Sequence, residues 1–164
     1  MIKPKSLRDH LVAANPTLRK NPDRIHVFAD AGRIVSTGSL SLSFEYQYTL
    51  NVVLTDFSGH PDAIMVPLLA WLRVNQPDLM TNAQKRQGAI RFEVEFLNQQ
   101  TFDLSLELDL TERVLVSANP DKPGDLRALH VPEPPDPDFP LVNEHWQLYV
   151  RDELVGEWEV KAAL

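Results

Sequence analysis

The sequence predicts an α+β domain: an antiparallel sheet with helices packed on one face, plus a C-terminal β-hairpin after a Pro-rich linker. Three features carry that prediction. Three segments alternate apolar and polar residues with the two-residue period of half-buried strands. One intervening segment, Pro61 to Asn75, is apolar almost all round. Seven of the 13 prolines fall between Pro120 and Pro140, ahead of a short alternating tail. The expected organisation is a core domain over 1–117, an acidic Pro-rich linker over 118–140 and a hairpin extension over 141–164.

The first element expected is a short helix. Ser6 stands as its cap, Asp9 complements the positive end, and Leu7, His10, Leu11 and Ala14 form one stripe. Asn15-Pro16 ends it, because proline disfavours helical geometry in the residue before it. Arg24 to Phe28 and Ile34 to Thr37 then read as two arms of a hairpin around Asp30-Ala31-Gly32-Arg33.

The clearest strand follows. Leu40, Leu42, Phe44, Tyr46, Tyr48, Leu50, Val52 and Leu54 hold the even positions, while the odd ones are polar except Val53. Side chains alternate faces along a strand, so one face is oily and the other wet. Ile90 to Phe96 and Phe102 to Leu110 repeat the pattern around a polar Asn98-Gln99-Gln100 turn. Val114 to Val116 prolong the second strand past a break expected at Thr111-Glu112-Arg113. One wet face on each strand favours an antiparallel sheet.

Pro61 opens the second helix at a position where proline is favoured, and Asp62 follows with the helpful sign. Pro67 is expected to kink this helix or reset its start. A helix on an open sheet needs one oily stripe. The excess on Pro61 to Asn75 calls for a second covering, from the first helix or from another chain. In the tail, Trp146, Leu148 and Val150 alternate, Asp152 marks a turn, and Leu154 to Val160 return. An isolated hairpin is marginal in water, so this one must pack on its own domain or on a neighbour.

Composition bounds the chemistry. With 164 residues, 43% hydrophobic and 24% charged, the chain is the size of one domain and able to bury a core. The absence of cysteine excludes disulfides, thiolate nucleophiles and sulfur-ligated zinc. Sixteen Lys and Arg against 23 Asp and Glu give a formal charge of −7, with no basic run suited to DNA phosphates. No apolar stretch approaches the ~20 residues of a membrane helix, and no leader is evident.

The one suggestive polar cluster is Asp56-Phe57-Ser58-Gly59-His60-Pro61-Asp62. A histidine flanked by Asp56 and Asp62 is the raw material for a hydrolase or a metal site. Its spacing fits no ligand motif, and a turn leading into a helix accounts for the same residues. Glu93, Glu95, Asp103, Glu107 and Asp109 alternate regularly on wet strand faces, which is the pattern of solvated charge. No catalytic, metal or cofactor residue is assigned from these patterns.

The run FEYQYTLNVVLTDFSGHPDAIMVPLLAWLRVNQPDLM from Phe44 to Met80 resembles the tail completion protein R family of peduovirus-type contractile-tailed phages. The opening MIKPKSLRDHL, LTERVLV from Leu110 to Val116 and ELVGEWE from Glu153 to Glu159 fit the same family. The resemblance implies a structural virion protein, not an enzyme and without cofactor. It would be assembled in the host cytoplasm and act at the head-proximal end of the tail to finish it for joining to a head. It implies partners among tail proteins (tube, sheath or a second completion protein), no membrane, and at most non-specific passage of DNA. By analogy with other tail-end proteins, self-association as a ring of six is an expectation. An adaptor absent from the finished particle is the alternative within the same biology. Aromatic anchors dominate protein interfaces, so Leu68, Trp71, Leu72, Trp146, Tyr149 and Trp158 are the expected interface residues.

Overall fold

The computed structural model describes residues 1–36, 38, 41–134 and 142–161. Thr37, Leu40, residues 135–141 of the expected linker and residues 162–164 of the expected hairpin extension lie outside them. Helix α1 (Lys3–Ala14) is followed by α2 (Pro16–Lys20), a 3-10 turn (Pro22–Arg24), β1 (Ile25–Ser36) and β2 (Phe44–Phe57). Then come α3 (Asp62–Asn75), α4 (Asp78–Thr81), α5 (Ala83–Arg86), β3 (Ile90–Phe96), β4 (Phe102–Ala118) and β5 (Leu126–His130). Strands β6 (Glu144–Val150) and β7 (Glu153–Val160) close the chain as a separate hairpin. The main sheet runs β1-β2-β4-β3, antiparallel at every joint, with β5 added alongside the far end of β4.

The two-residue period decides which side chains reach the core. Tyr48, Leu50, Val52 and Leu54 of β2 pair with Leu110, Leu108, Leu106 and Leu104 of β4 and are all buried. Two bulges shift the phase. An extra residue in β2 between Leu54 and Phe57 brings odd-numbered Phe57 onto the core face, with Asp56 at φ 50° absorbing the bend. A second bulge at Asp30 shifts β1.

That second bulge corrects the hairpin expected at Asp30 to Arg33. The 14-residue β2 offers partners to both supposed arms, so β1 continues straight along it from Ile25 to Ser36. Gly32 is needed there for close approach, since a Cβ would sit 3.1 Å from Tyr48 Cβ. The break expected at Thr111 to Arg113 is likewise absent: β4 is one 17-residue strand. Glu112 stays in phase with the leucines and faces inward, 3% exposed.

Over this face lie α1 and α3. Leu7, Leu11, Ile64, Leu68, Trp71 and Leu72 pack on the sheet leucines. The helix α1 starts earlier than Ser6, and no local side chain caps it. Ser6 instead accepts a hydrogen bond from Trp71 Nε1 at 3.1 Å. The helix α3 passes through Pro67 without interruption. Proline removes the N–H that would serve Ala63 O, and Asn15 Nδ2 approaches that carbonyl at 3.4 Å. The same Asn15 caps α2, its Oδ1 accepting from Thr17 N at 2.9 Å and Leu18 N at 3.1 Å. Asn15→Ala is therefore expected to cost about 1–2 kcal/mol, read as a lower urea midpoint at unchanged m-value.

The second covering of α3 comes from its own chain. The turn of the β6–β7 hairpin holds Arg151 and Asp152 at φ 50° and 65°, the geometry of a two-residue type I′ turn. Trp158 and Val160 bury against Ala14 and Ala70, with Val66, Trp146 and Leu148 packed around them. Gly156 lets β7 approach α1, because a Cβ there would lie 3.3 Å from Ala14 O. The expected linker also contains structure: β5 pairs with Val114–Ala118, and Glu133 holds Lys3 at 2.8 Å. Residues 126–130 thus pair with the sheet.

Candidate functional site

The loop of Asp56, His60 and Asp62 does not assemble a catalytic set. Asp56 points to Arg24, 3.2 Å away, whose guanidinium also donates to the Asp56 carbonyl at 2.6 Å. His60 Nδ1 accepts the Asp62 backbone N–H at 3.1 Å, with the Asp62 carboxylate 3.4 Å off. The ring thus closes the turn that starts α3. Among the described residues, no three His, Asp or Glu side chains come together as a metal site.

The wet face of the sheet is a charge lattice. Arg91 bonds Glu107 at 3.0 Å and Asp109 at 2.9 Å, and Thr49 Oγ1 adds a bond to Asp109 at 3.0 Å. Hydrogen bonds from Arg91 hold the Asp109 carboxyl below the usual carboxylate range despite some burial. A general acid needs the opposite shift. Asp103 accepts from Asp56 N at 2.7 Å and pins the β2 bulge.

The densest buried polar cluster joins the amino terminus to β4. Odd-numbered residues of β4 turn their backbone groups to one edge: Asp109 N–H donates to Ala89 O beside β3, and Arg113 O accepts from Val131 N beyond β5. Strands β3 and β5 share that edge, with a gap at Thr111. Side chains fill it. Gln76 Oε1 accepts from Thr111 N at 3.1 Å, and Lys3 Nζ donates to Thr111 O at 2.7 Å. Lys3 Nζ also reaches Gln76 Oε1 at 2.7 Å and Glu133 at 2.8 Å.

On the core face beside the gap, Glu112 takes the place of a helix cap. Its carboxylate accepts from Ile2 N at 2.8 Å, Lys3 N at 3.2 Å and Tyr48 Oη at 2.6 Å. Burial alone would raise its pKa, but those three bonds together outweigh burial and hold it below the usual range. Burial pushes the Tyr48 phenol up, and the adjacent Glu112 adds to the rise. His130 Nδ1 lies 3.0 Å from Glu112 Oε2 without the alignment of a hydrogen bond, and its ring stacks on Tyr46. Pattern reading missed this cluster by treating Glu112 as a break. The available signal was its even-numbered place among the leucines.

The six expected interface residues divide sharply. Leu68, Trp71, Leu72 and Trp158 are buried within the chain. Trp146 is half-buried, its ring edge-on to Trp158 at 6.0 Å and its Nε1 bonded to Glu144 at 2.7 Å. Tyr149, 55% exposed, alone stands free for contact. Among the described residues the most exposed aromatics lie elsewhere, on β3: Phe92 and Phe96.

Residues 1–134 match the family model described as P2 phage tail completion protein R (GpR). The chain is 45% identical over 159 residues to "Tail completion protein R" of Escherichia phage P2, covering 97% of this chain and 99% of that one. No solved structure matches significantly.

Proposed function

Since the chain belongs to the P2 phage tail completion protein R family, we propose that it is a structural protein that finishes a phage tail at its head-proximal end, working by surface burial without turnover. The observation that carries this reading is the 45% identity sustained over nearly the full length of both chains. Asp56 is held by Arg24, away from the turn formed by His60 and Asp62, which supports a role without catalysis. Among the described residues no helix is long and apolar enough to cross a membrane. The partners are other tail proteins, and the protein remains in the tail as a virion component. Tyr149 and the open edge of Trp146 form the hairpin's contact with such a partner, while Leu68, Trp71, Leu72 and Trp158 hold the scaffold behind it.

The test is complementation of a phage lacking its own copy. Wild type is expected in purified tails by mass spectrometry. His60→Ala should complement fully, whereas Tyr149→Ala should fold normally yet reduce infectious particles at least tenfold. A chain that completes tails but is missing from them would mark an assembly adaptor. Loss of function on His60→Ala in a folded protein would revive the hydrolase.

A further inference from the structure

We infer that the two free edges of the main sheet, β1 and β3, are complementary halves of one joint, through which a second copy of this chain continues the sheet. Among the described residues, both strands are hydrogen-bonded on one side only. Neither contains proline, a common device for protecting a sheet edge. Phe92 and Phe96 of β3 lie on the core face of the sheet, opposite Leu106 and Phe102, yet they are 64% and 78% exposed. The oily face therefore runs on past the helices that cover it, and stops at an open edge.

Topology selects the partner strand. Three antiparallel joints separate β1 from β3, so the two edges run in opposite directions. A copy related by rotation brings its β1 antiparallel to β3, with core face continuing as core face. Such a head-to-tail contact repeats and closes by rotation.

Side-chain chemistry selects the same partner. Following the register across the sheet, Phe92 is level with Val27, Val94 with Ile25 and Ile90 with Ala29, through Leu106, Leu104 and Leu108. A level joint sets apolar against apolar on the core face. On the wet face it sets Glu93 against His26 and Arg91 against Phe28. Opposite charges directly across a strand pair are favourable and like charges are not. Two-fold pairing of β3 with another β3 would set Glu93 against Glu95 when centred on Val94, and Glu93 against its own copy when centred on Glu93. Along Ile25–Ala29 of β1 the acidic strand meets no carboxylate, whereas in either two-fold register it meets its own.

This joint extends the proposed function, since a self-assembling ring is one way to cap a tail, and it is testable separately. The chain has no cysteine, so introduced thiols report alone. Residues 26 and 93 of one chain lie three strand spacings apart, about 14 Å along the sheet, too far for an internal disulfide. The variant carrying both His26→Cys and Glu93→Cys is oxidised as purified protein and in complemented tails, then run without reductant. A ladder extending beyond dimer, absent from either single variant, is the expected result. The same ladder from His26→Cys with Glu95→Cys would support the joint at a register two residues along.

A dimer from Glu93→Cys alone would overturn the inference in favour of two-fold pairing. No cross-linked species in either preparation would overturn it outright. In that case, tails that contain the chain would leave its structural function standing, and tails without it would remove both. Glu93→Lys with Glu95→Lys supplies an independent reading. It should lower the mass by light scattering at unchanged thermal midpoint, and an unchanged mass would count against the joint.

Discussion

Replacing Glu112 by alanine is expected to destabilise the fold by about 3–5 kcal/mol, the largest effect of any single polar substitution. The carboxylate is 3% exposed and satisfies Ile2 N, Lys3 N and the Tyr48 hydroxyl together. Its removal leaves three donors unpaired, two of them, Lys3 N and the Tyr48 hydroxyl, in buried bonds that water does not readily replace. Chemical denaturation would show the loss as a lower midpoint, and hydrogen exchange would place it first at the start of α1. Glu112→Gln keeps the shape but cannot accept from all three with the strength of a charge. An intermediate loss is expected.

The same residue sets a pH dependence. Its carboxyl titrates lower in the folded chain than in the unfolded one, where about 4.3 is usual. Unfolding therefore takes up a proton between those two values. The stabilisation is complete above about pH 5 and is lost as pH falls through the folded value. Asp78, with Lys85 and Gln76 bonds outweighing its burial, and Asp109 act in the same direction. Glu112→Gln should therefore flatten the acid limb of a stability profile in part. A limb of unchanged slope would show that Glu112 is not the linked group.

The second large effect is expected at Trp158. Trp158→Ala removes the main buried anchor of the β6–β7 hairpin and should cost about 3–5 kcal/mol where the hairpin and α3 remain coupled. Hydrogen exchange should rise across 144–160 and spread to the outer face of α3. The indole Nε1 of Trp158 is buried without a hydrogen-bond partner, so Trp158→Phe should retain most of the stability. If alanine leaves exchange in β6 and β7 unchanged, the hairpin is not held by this contact. His10 sits at the same seam, 3.0 Å from Pro67 O and edge-on to Trp158. Burial lowers its pKa despite the Pro67 bond, so the unfolded chain protonates first and stability falls as pH drops below about 6.5. Hairpin exchange should accordingly rise at acidic pH and less so in His10→Gln.

Strand faces were legible because burial on one side imposes a period of two. Phe44 to Leu54, Ile90 to Phe96 and Phe102 to Leu110 each carry that period in plain view. Local turn chemistry misled at Asp30-Ala31-Gly32, where residues suited to a reversal accommodate a bulge and a close pass over Tyr48. It misled again at Glu112, where one polar residue in an apolar series marks the partner of a distant helix end. The short helices α2 and α5 were missed although Asn15 and Asn82 cap both. Stretches of four or five residues show too little periodicity to be seen.

The interface residues failed for a different reason. Aromatic content identifies side chains that bury well, without saying whether the covering surface belongs to the same chain. Trp71 and Trp158 are buried by α1, α3 and the hairpin, while Phe92 and Phe96 look like ordinary core residues in the sequence and end up uncovered.

By itself the sequence determined the fold class, the phase of the long strands, the two main helices, the terminal hairpin and the family likeness. These rest on local periodicity or on likeness along the chain, and neither needs contacts across it. Tertiary structure alone decided that Glu112 caps α1, that Asn15 attends the carbonyl left by Pro67, and that the hairpin covers α3. It also decided which edge of the oily sheet remains open. Those outcomes depend on residues up to 110 positions apart meeting in space, and no local pattern encodes such a meeting.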